Sequence, residues 1–407
     1  MVSLARSSVS HIVRVQEVCA ETQGEGVVSL AERSDGVDAP PYIPLKTVFI
    51  VDPLTRHRGD LAEALRGQYE VEEFADAPAL KERLRALRPS LILVDEATPP
   101  DGGGAVVQRL RESQATHSIP IVGMTRSGGS RFVSLLHEAE LGILIKPATL
   151  HTLYDAVTHA ICKSVEDEWQ TLEENQRLAL TQTIAVFRDL PDQIMNGEPI
   201  EYVSIRESCA PIVTAVCNNQ FSDLLNGVKG HDNYSYVHSV RVAILLAHFG
   251  RELGLPRDDL LTLGTGGVLH DLGKVAIPHY VLNKPGRLTP EEWVVMRSHV
   301  DRSIELLDCI EHLPRGVMTI AAQHHEKLDG TGYPHGLKGS ELNELARMAA
   351  IVDVFGALTD QRIYKPPHAP DAALDMMREM GPNHLDQHLL TLFRSMLLDT
   401  ASVVQAL

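Results

Sequence analysis

Four short apolar runs recur between residues 47 and 147, and each closes on polar or turn-forming residues: TVFIVDP (47–53), LILVDEATPP (91–100), IPIVGMT (119–125) and LGILIKP (141–147). Stretches with helical periodicity separate them, such as 57–67. Runs of this length and continuity predict strands buried on both faces. Alternating with helices, they predict a parallel, doubly wound α/β sheet with its functional residues at the carboxyl ends of the strands. Residues 148–190 read as helical, rich in Glu, Gln, Leu and Ala, with no Gly or Pro before Pro191. Val165, Trp169, Leu172, Leu180 and Phe187 form a partial apolar stripe there, interrupted by Gln176 at an inward position. That stripe fits either a connecting helix packed on its own chain or a signalling helix paired with a second protomer. From about 200 onward the pattern is almost wholly helical. Residues 1–45 end in the turn-prone DAPPYIP (38–44) and read as a poorly ordered extension. The expected organisation is therefore an extension (1–45), an α/β domain (46–155), a helical linker (156–199) and an all-α domain (200–407).

Composition changes this picture little. A chain of 407 residues with 44% apolar and 22% charged positions is an ordinary multidomain globular protein. The net charge of −17 argues against nonspecific affinity for nucleic acid or anionic membrane. Cys19, Cys162, Cys209, Cys217 and Cys309 are odd in number and scattered, which fits reduced thiols and no thiolate zinc site. No run approaches a membrane span and no signal-peptide core is present, so a cytoplasmic location is expected.

The strand ends carry Asp52, Asp95, Thr125 and Lys146-Pro147. Over residues 46–155 this set resembles a response-regulator receiver domain. The resemblance implies Asp95 as phosphoacceptor with Asp52, Thr125 as the switch hydroxyl, Lys146 as the phosphate-binding lysine, and a sensor kinase as partner. Two positions depart from it: Pro53 stands where receivers carry a second acid for magnesium, and Ile143 where they carry an aromatic switch residue. Phosphorylation of Asp95 is therefore left open.

The candidate chemistry lies in the helical half, which holds thirteen of the nineteen histidines between His231 and His388. HDLGK (270–274) sets an imidazole beside a carboxylate, with a lysine three residues beyond the carboxylate and on nearly the same helical face. HHEKLDGTGYP (324–334) sets two adjacent imidazoles ahead of a glycine-rich turn. Imidazole and carboxylate together suit borderline divalent metals such as iron, manganese, nickel or zinc. A carboxylate can bridge two metals, and a metal pair can polarise a phosphate ester and activate water.

Residues 200–400, about half the chain, resemble the HD-GYP family of cyclic di-GMP phosphodiesterases. On that resemblance YSYVHSVRV (234–242) supplies His238, HDLGK supplies His270 and Asp271, SHV (298–300) supplies His299, HHEKLDGTGYP supplies His324 and His325, and IVDVFGALTDQRIYK (351–365) supplies Asp353. One metal would take His238, His270, Asp271 and Asp353; the second would share Asp271 and take His299, His324 and His325. Lys274 would act with Asp271 in catalysis and face the substrate phosphate. Gly332 and Tyr333 would line the substrate pocket, and Arg362 and Lys365 would contact phosphate. The family points to iron or manganese. Tyr234 stands where some members carry a glutamate for a third metal, so two metals are expected. Gly356 stands where many members carry another aspartate, which leaves rate and substrate preference open. Arg241 reads as a structural ion-pair partner.

The expected function is thus hydrolysis of cyclic di-GMP to pGpG, and then more slowly to GMP, under control of the receiver-like domain. Expected partners are a second copy of the chain and a GGDEF-type or other signalling protein. The rival readings are a non-catalytic binding or adaptor module and a phosphodiesterase that prefers pGpG or a mixed cyclic dinucleotide.

Overall fold

Alternate residues of a strand point to opposite faces, and this places two apolar layers around one sheet in the first half of the chain. The computed structural model describes residues 46–282, 284, 286–360 and 367–399; the expected extension 1–45 and the candidate phosphate contacts Arg362 and Lys365 lie outside the described residues. The strands are β1 (Thr47–Val51), β2 (Glu70–Phe74), β3 (Leu91–Asp95), β4 (Ile121–Thr125) and β5 (Gly142–Ile145), all parallel in the order β2-β1-β3-β4-β5. The helices are α1 (Thr55–Leu65), α2 (Ala77–Arg83), α3 (Gly103–Glu112), α4 (Arg131–Glu138) and α5 (Leu150–Glu168). Val48, Ile50, Leu91, Leu93, Val122 and Met124 pack against α1 and α5. Phe49, Val51, Ile92, Val94 and Ile121 pack against α2, α3 and α4. This is the flavodoxin-like strand order, and its switch point falls between β1 and β3, so the residues after those strands meet.

The helix expected across 148–190 is broken. After α5 the chain makes a short 3-10 turn, Trp169–Thr171, before α6 (Glu174–Met195). The Trp169 indole is buried and donates to the Gly227 carbonyl at 2.8 Å, which fixes the break. Trp169, Leu180 and Phe187 are buried in the core of the helical half, with Val165 and Leu172 packed on it, so the stripe is covered by its own chain. The inward Gln176 is satisfied by donating to Asp223 at 2.9 Å.

The helical half continues with α7 (Tyr202–Cys217), α8 (Phe221–Val228), α9 (Tyr234–Glu252), α10 (Arg257–Leu269), α11 (His279–Leu282), α12 (Pro290–Arg297), α13 (His299–Leu307), α14 (Arg315–Gln323), α15 (Glu344–Thr359), α16 (Pro370–Glu379) and α17 (Gln387–Asp399). A two-residue parallel pair, Ile200–Glu201 with Ile310–Glu311, ties distant segments of it together. At the centre α9 is buried from His238 to Gly250 on every face, as expected of a helix enclosed by others. It crosses α10 at Gly267, where a Cβ would lie 2.5 Å from the Ala243 Cα. That contact sets the spacing between His238 on α9 and His270 at the end of α10. Gly267→Ala is expected to lower the melting temperature by roughly 3–10 °C, from an overpacking cost of about 1–3 kcal/mol. Thermal denaturation checks it, and an unchanged melting temperature would show that the helices can part.

The two halves are tied just ahead of α9. The Asp232 carboxylate accepts from Lys46 Nζ, which precedes β1, at 2.7 Å and from the Tyr69 hydroxyl, which precedes β2. Its neighbour His231 stacks on Trp169 with centroids 5.9 Å apart and lies 3.2 Å from the Glu166 carboxylate on α5. Asn233 then caps α9 by accepting from the Tyr236 N–H.

Candidate metal centre

Each candidate ligand sits where a helix begins, ends or turns inward. His238 lies one turn into α9; His270 caps α10 and Asp271 follows it; His299 opens α13; His324 and His325 follow α14; Asp353 lies midway along α15. Ser303 on α13 joins two of these segments, accepting from the Gly273 N–H at 2.8 Å and donating to the His270 carbonyl at 3.1 Å. Gly273 makes this approach feasible, because a Cβ there would fall 2.1 Å from the His299 carbonyl oxygen. Asp271 is thereby held opposite His299.

The structure brings all seven candidate ligands into two adjoining groups: Asp271 with His299, His324 and His325, and His238 with His270 and Asp353. Within each group the potential ligand atoms lie within 4.8 Å of one another. Asp271 belongs to both sides. Its Oδ1 is 3.1 Å from His299 Nε2 and 3.8 Å from His324 Nε2, while its Oδ2 is 3.2 Å from His270 Nε2 and 3.8 Å from His238 Nε2. Asp353 closes the other wall, with Oδ1 2.8 Å from His238 Nε2 and Oδ2 3.7 Å from His325 Nδ1. Lys274 reaches back to pair with Asp271 Oδ2.

The rings are held by their outer nitrogens. The Nδ1 atoms of His270, His299 and His324 face the carbonyls of Gly267 (2.8 Å), Met296 (2.6 Å) and Ala321 (2.9 Å). A carbonyl only accepts, so each Nδ1 carries a proton and Nε2 is the ring nitrogen turned to the site. Those three Nε2 atoms and Asp271 Oδ1 are buried without a hydrogen-bond partner in the chain. Unsatisfied polar atoms buried this closely are costly; divalent cations would satisfy them, His299, His324 and Asp271 Oδ1 in one group and His270 in the other, so the residues fit metal.

Charges agree with that reading. Burial pushes the Asp271 carboxyl up, but Lys274 and His270 outweigh it and hold it well below the usual range. Burial also opposes ionisation of Asp353, which the His238 hydrogen bond and the His325 ring overcome. Burial keeps His324 neutral and pushes His325 down to about 4. Burial would also lower His238, yet hydrogen bonds to Asp353 and Asp360 carry it up to about 9.

Around this centre, Tyr333 lies over His325 with ring centroids 4.7 Å apart, and the Arg297 guanidinium lies 5.1 Å from the Tyr333 ring. Gly332 presses its own turn: a Cβ there would lie 2.4 Å from the Glu326 Cα. The buried Glu326 carboxylate accepts from the His335, Gly336 and Leu337 N–H groups, which pins the turn beside the site. The motif reading passes over Glu326 although it stands directly after the paired histidines. Ser303 gives no signal in the sequence, because its partners come from a distant segment. Tyr234 stacks on His238 with centroids 5.8 Å apart.

In the other half, Asp52, Asp95 and Lys146 also meet. The Lys146 ammonium pairs with Asp95 and lies 3.5 Å from Asp52. His57, which the sequence reading misses, sits 2.5 Å from Asp52 Oδ2. Thr125 is buried at the end of β4 and donates its hydroxyl to Glu96.

A model of the HD domain family matches residues 222–389. The chain is 30% identical over 315 residues to the cyclic di-GMP phosphodiesterase response regulator RpfG of Xanthomonas campestris, covering 77% of this chain and 76% of that protein. It is 40% identical over 167 residues to the cyclic di-GMP phosphodiesterase PA4108 of Pseudomonas aeruginosa, covering 41% of this chain and 40% of that one. It is 35% identical over 171 residues to the 3'3'-cGAMP-specific phosphodiesterase 2 of Vibrio cholerae, covering 42% of this chain and 33% of that one. The chain thus spans two fifths or less of the last two relatives and about three quarters of RpfG. Among the described residues, no helix is long and apolar enough to cross a membrane.

Proposed function

This chain belongs to the HD-GYP family, with a receiver-like domain ahead of its helical half, and from that premise we propose that it hydrolyses cyclic di-GMP to pGpG at a dinuclear metal site. The observation that carries the proposal is the Asp271 carboxylate, whose two oxygens face two separate histidine groups. His238, His270, Asp271 and Asp353 would hold one divalent ion; Asp271, His299, His324 and His325 would hold the other. Iron or manganese is assigned by family, and the nitrogen and oxygen ligand set accommodates either. When bound, such a pair supplies Lewis acidity toward a phosphate oxygen and lowers the pKa of water.

The chain's own residues do the rest. The His238, His270, His299 and His324 rings, locked by their outer nitrogens, hold the ligand geometry without reorganising. Lys274 lies partly exposed at the rim of Asp271, placed to offset charge that builds on the phosphate. Tyr333 forms a wall over His325 against which a guanine can lie. Arg362 and Lys365 are assigned to the second phosphate. The bond made joins a water oxygen to phosphorus, and the bond broken is that to the ribose 3′ oxygen, so the product keeps a 5′-phosphate. A second, slower cut gives GMP.

A second reading keeps the enzyme and changes the substrate to pGpG or a mixed cyclic dinucleotide; the 35% identity to a 3'3'-cGAMP-specific enzyme favours keeping it in view. Regulation is assigned to Asp95, with a sensor kinase as its source of phosphate, a homodimer as the responding assembly and the cytoplasm as the location.

The deciding experiment is chromatography of the products formed by purified protein carrying its native metals, with metal content counted. Two metals per chain and pGpG release are expected. Lys274→Met should keep both metals and lose about 10²-fold in turnover. Full loading with no turnover of cyclic di-GMP, pGpG or 3'3'-cGAMP would leave a binding module. Unchanged turnover and assembly in Asp95→Asn would remove the regulatory part.

A further inference from the structure

His238 is held differently from its neighbours. The Nδ1 atoms of His270, His299 and His324 face main-chain carbonyls, whereas His238 Nδ1 faces the carboxylate of Asp360, with Oδ2 at 2.7 Å. Asp360 is buried to 3% exposure just past the end of α15, and its other oxygen pairs with Arg241 Nε at 2.9 Å. Its own N–H donates to the Gly356 carbonyl at 2.7 Å, which anchors the carboxylate one turn beyond that glycine. Gly356 is the position where many HD-GYP members carry an aspartate. A Cβ there would lie 3.2 Å from His238 Cε1 and 3.4 Å from Nδ1, against the edge of the ring that Asp360 engages.

From this geometry we infer that Asp360 is the positioning residue for His238, and that the bare Gly356 leaves room for a carboxylate one turn later to do so. The inference rests on the dinuclear reading above. Asp360 keeps a ring proton on Nδ1, so that Nε2, which faces Asp353 and Asp271, is the nitrogen left to a metal. Arg241 fixes the carboxylate by occupying the oxygen that His238 does not use. An amide cannot replace it. In Asp360→Asn, with the side-chain oxygen turned to Arg241, an NH2 group would face His238 Nδ1 and move the ring proton to Nε2, where it blocks the metal.

The test is calorimetric titration of manganese(II) into metal-free full-length protein. Wild type should show two sites. Asp360→Asn should keep one site near its original affinity and weaken the other by about 10–100-fold, while its metal-free melting temperature stays within a few degrees of wild type. Asp360→Ser should weaken the same site, and adding Gly356→Asp to that variant should recover most of the loss, which a purely structural role for Asp360 would not produce. Two wild-type affinities in both Asp360→Asn and Asp360→Ser would overturn the inference and leave the dinuclear reading standing. A wild-type titration without two sites would overturn both.

Discussion

Asp271→Asn is expected to lower cyclic di-GMP turnover by at least ~10³-fold while the chain stays folded. The carboxylate is placed to serve both proposed metal positions, since Oδ1 faces His299 and His324 and Oδ2 faces His270 and His238. An amide keeps one acceptor and turns an NH2 toward the other pair of imidazoles, so one ligand set meets a donor where it needs an acceptor. A carboxylate lost between two bound metals would remove several kcal/mol of charge stabilisation, and about 4 kcal/mol corresponds to the stated factor. The fold should persist, because the metal-free cluster already carries unsatisfied nitrogens and Lys274, left without its partner, is 16% exposed and can turn to water. The check is initial rates with metal content and circular dichroism measured on the same samples. Turnover within tenfold of wild type would sink the dinuclear assignment.

The second large effect is on stability, and it depends on pH. Divalent metal should raise the melting temperature of the helical half by about 10 °C, because ligand at 1,000 times its Kd adds about 4 kcal/mol and each kcal/mol is worth about 2–4 °C in a domain of this size. A metal held by His238 would have to displace a proton from it, since burial would lower its pKa but Asp353 and Asp360 raise it to about 9. Apparent affinity at that position should therefore fall about tenfold for each pH unit below 9. His325, pushed down to about 4 by burial, is neutral across this range and adds no such slope. In the metal-free protein the sign is opposite. A raised folded pKa gives stability that is fully present below the unfolded value of about 6.5 and is lost as pH rises through 9. The gap between metal-loaded and metal-free melting temperatures should thus widen from pH 6 to pH 9. Thermal scans with and without chelator over that range test it, and a constant gap would mean that His238 gives up no proton to the metal.

What is legible in the sequence follows from where each feature draws its cause. β1, β3 and β4 announce themselves as apolar runs because helices cover both faces of the sheet there, and the edge strand β5 does so with Leu144 buried and Ile143 packed on the other face. β2, the other edge strand, does not, since it reads EVEEF, with Glu72 paired to Arg83 and Glu73 to Arg66 in place of an apolar face. The candidate ligands are legible because they travel in short local motifs, and the structure gathers them. The break after α5 is not, because its cause is the Trp169 contact with Gly227, 58 positions away. Asp360 is half legible: it lies two helical turns after Asp353, on the same face, but its partner His238 is 122 positions distant. His57 is local to Asp52, five residues on, yet a lone histidine in the first turn of a helix carries no pattern of its own.

Lys46 and Tyr69, which grip Asp232, lie ahead of β1 and β2, whereas Asp52 and Asp95 lie at the opposite ends of β1 and β3. A five-residue strand separates those ends by roughly 17 Å. The sheet therefore acts as a rod with its acidic head at one end and its clasp on the catalytic half at the other. A foreign receiver spliced in at residue 155 would bring its own acidic head and lose the clasp, unless it carried a lysine before its first strand and a tyrosine before its second. Whether such modules can be exchanged is decided at the amino ends of the strands, away from Asp95.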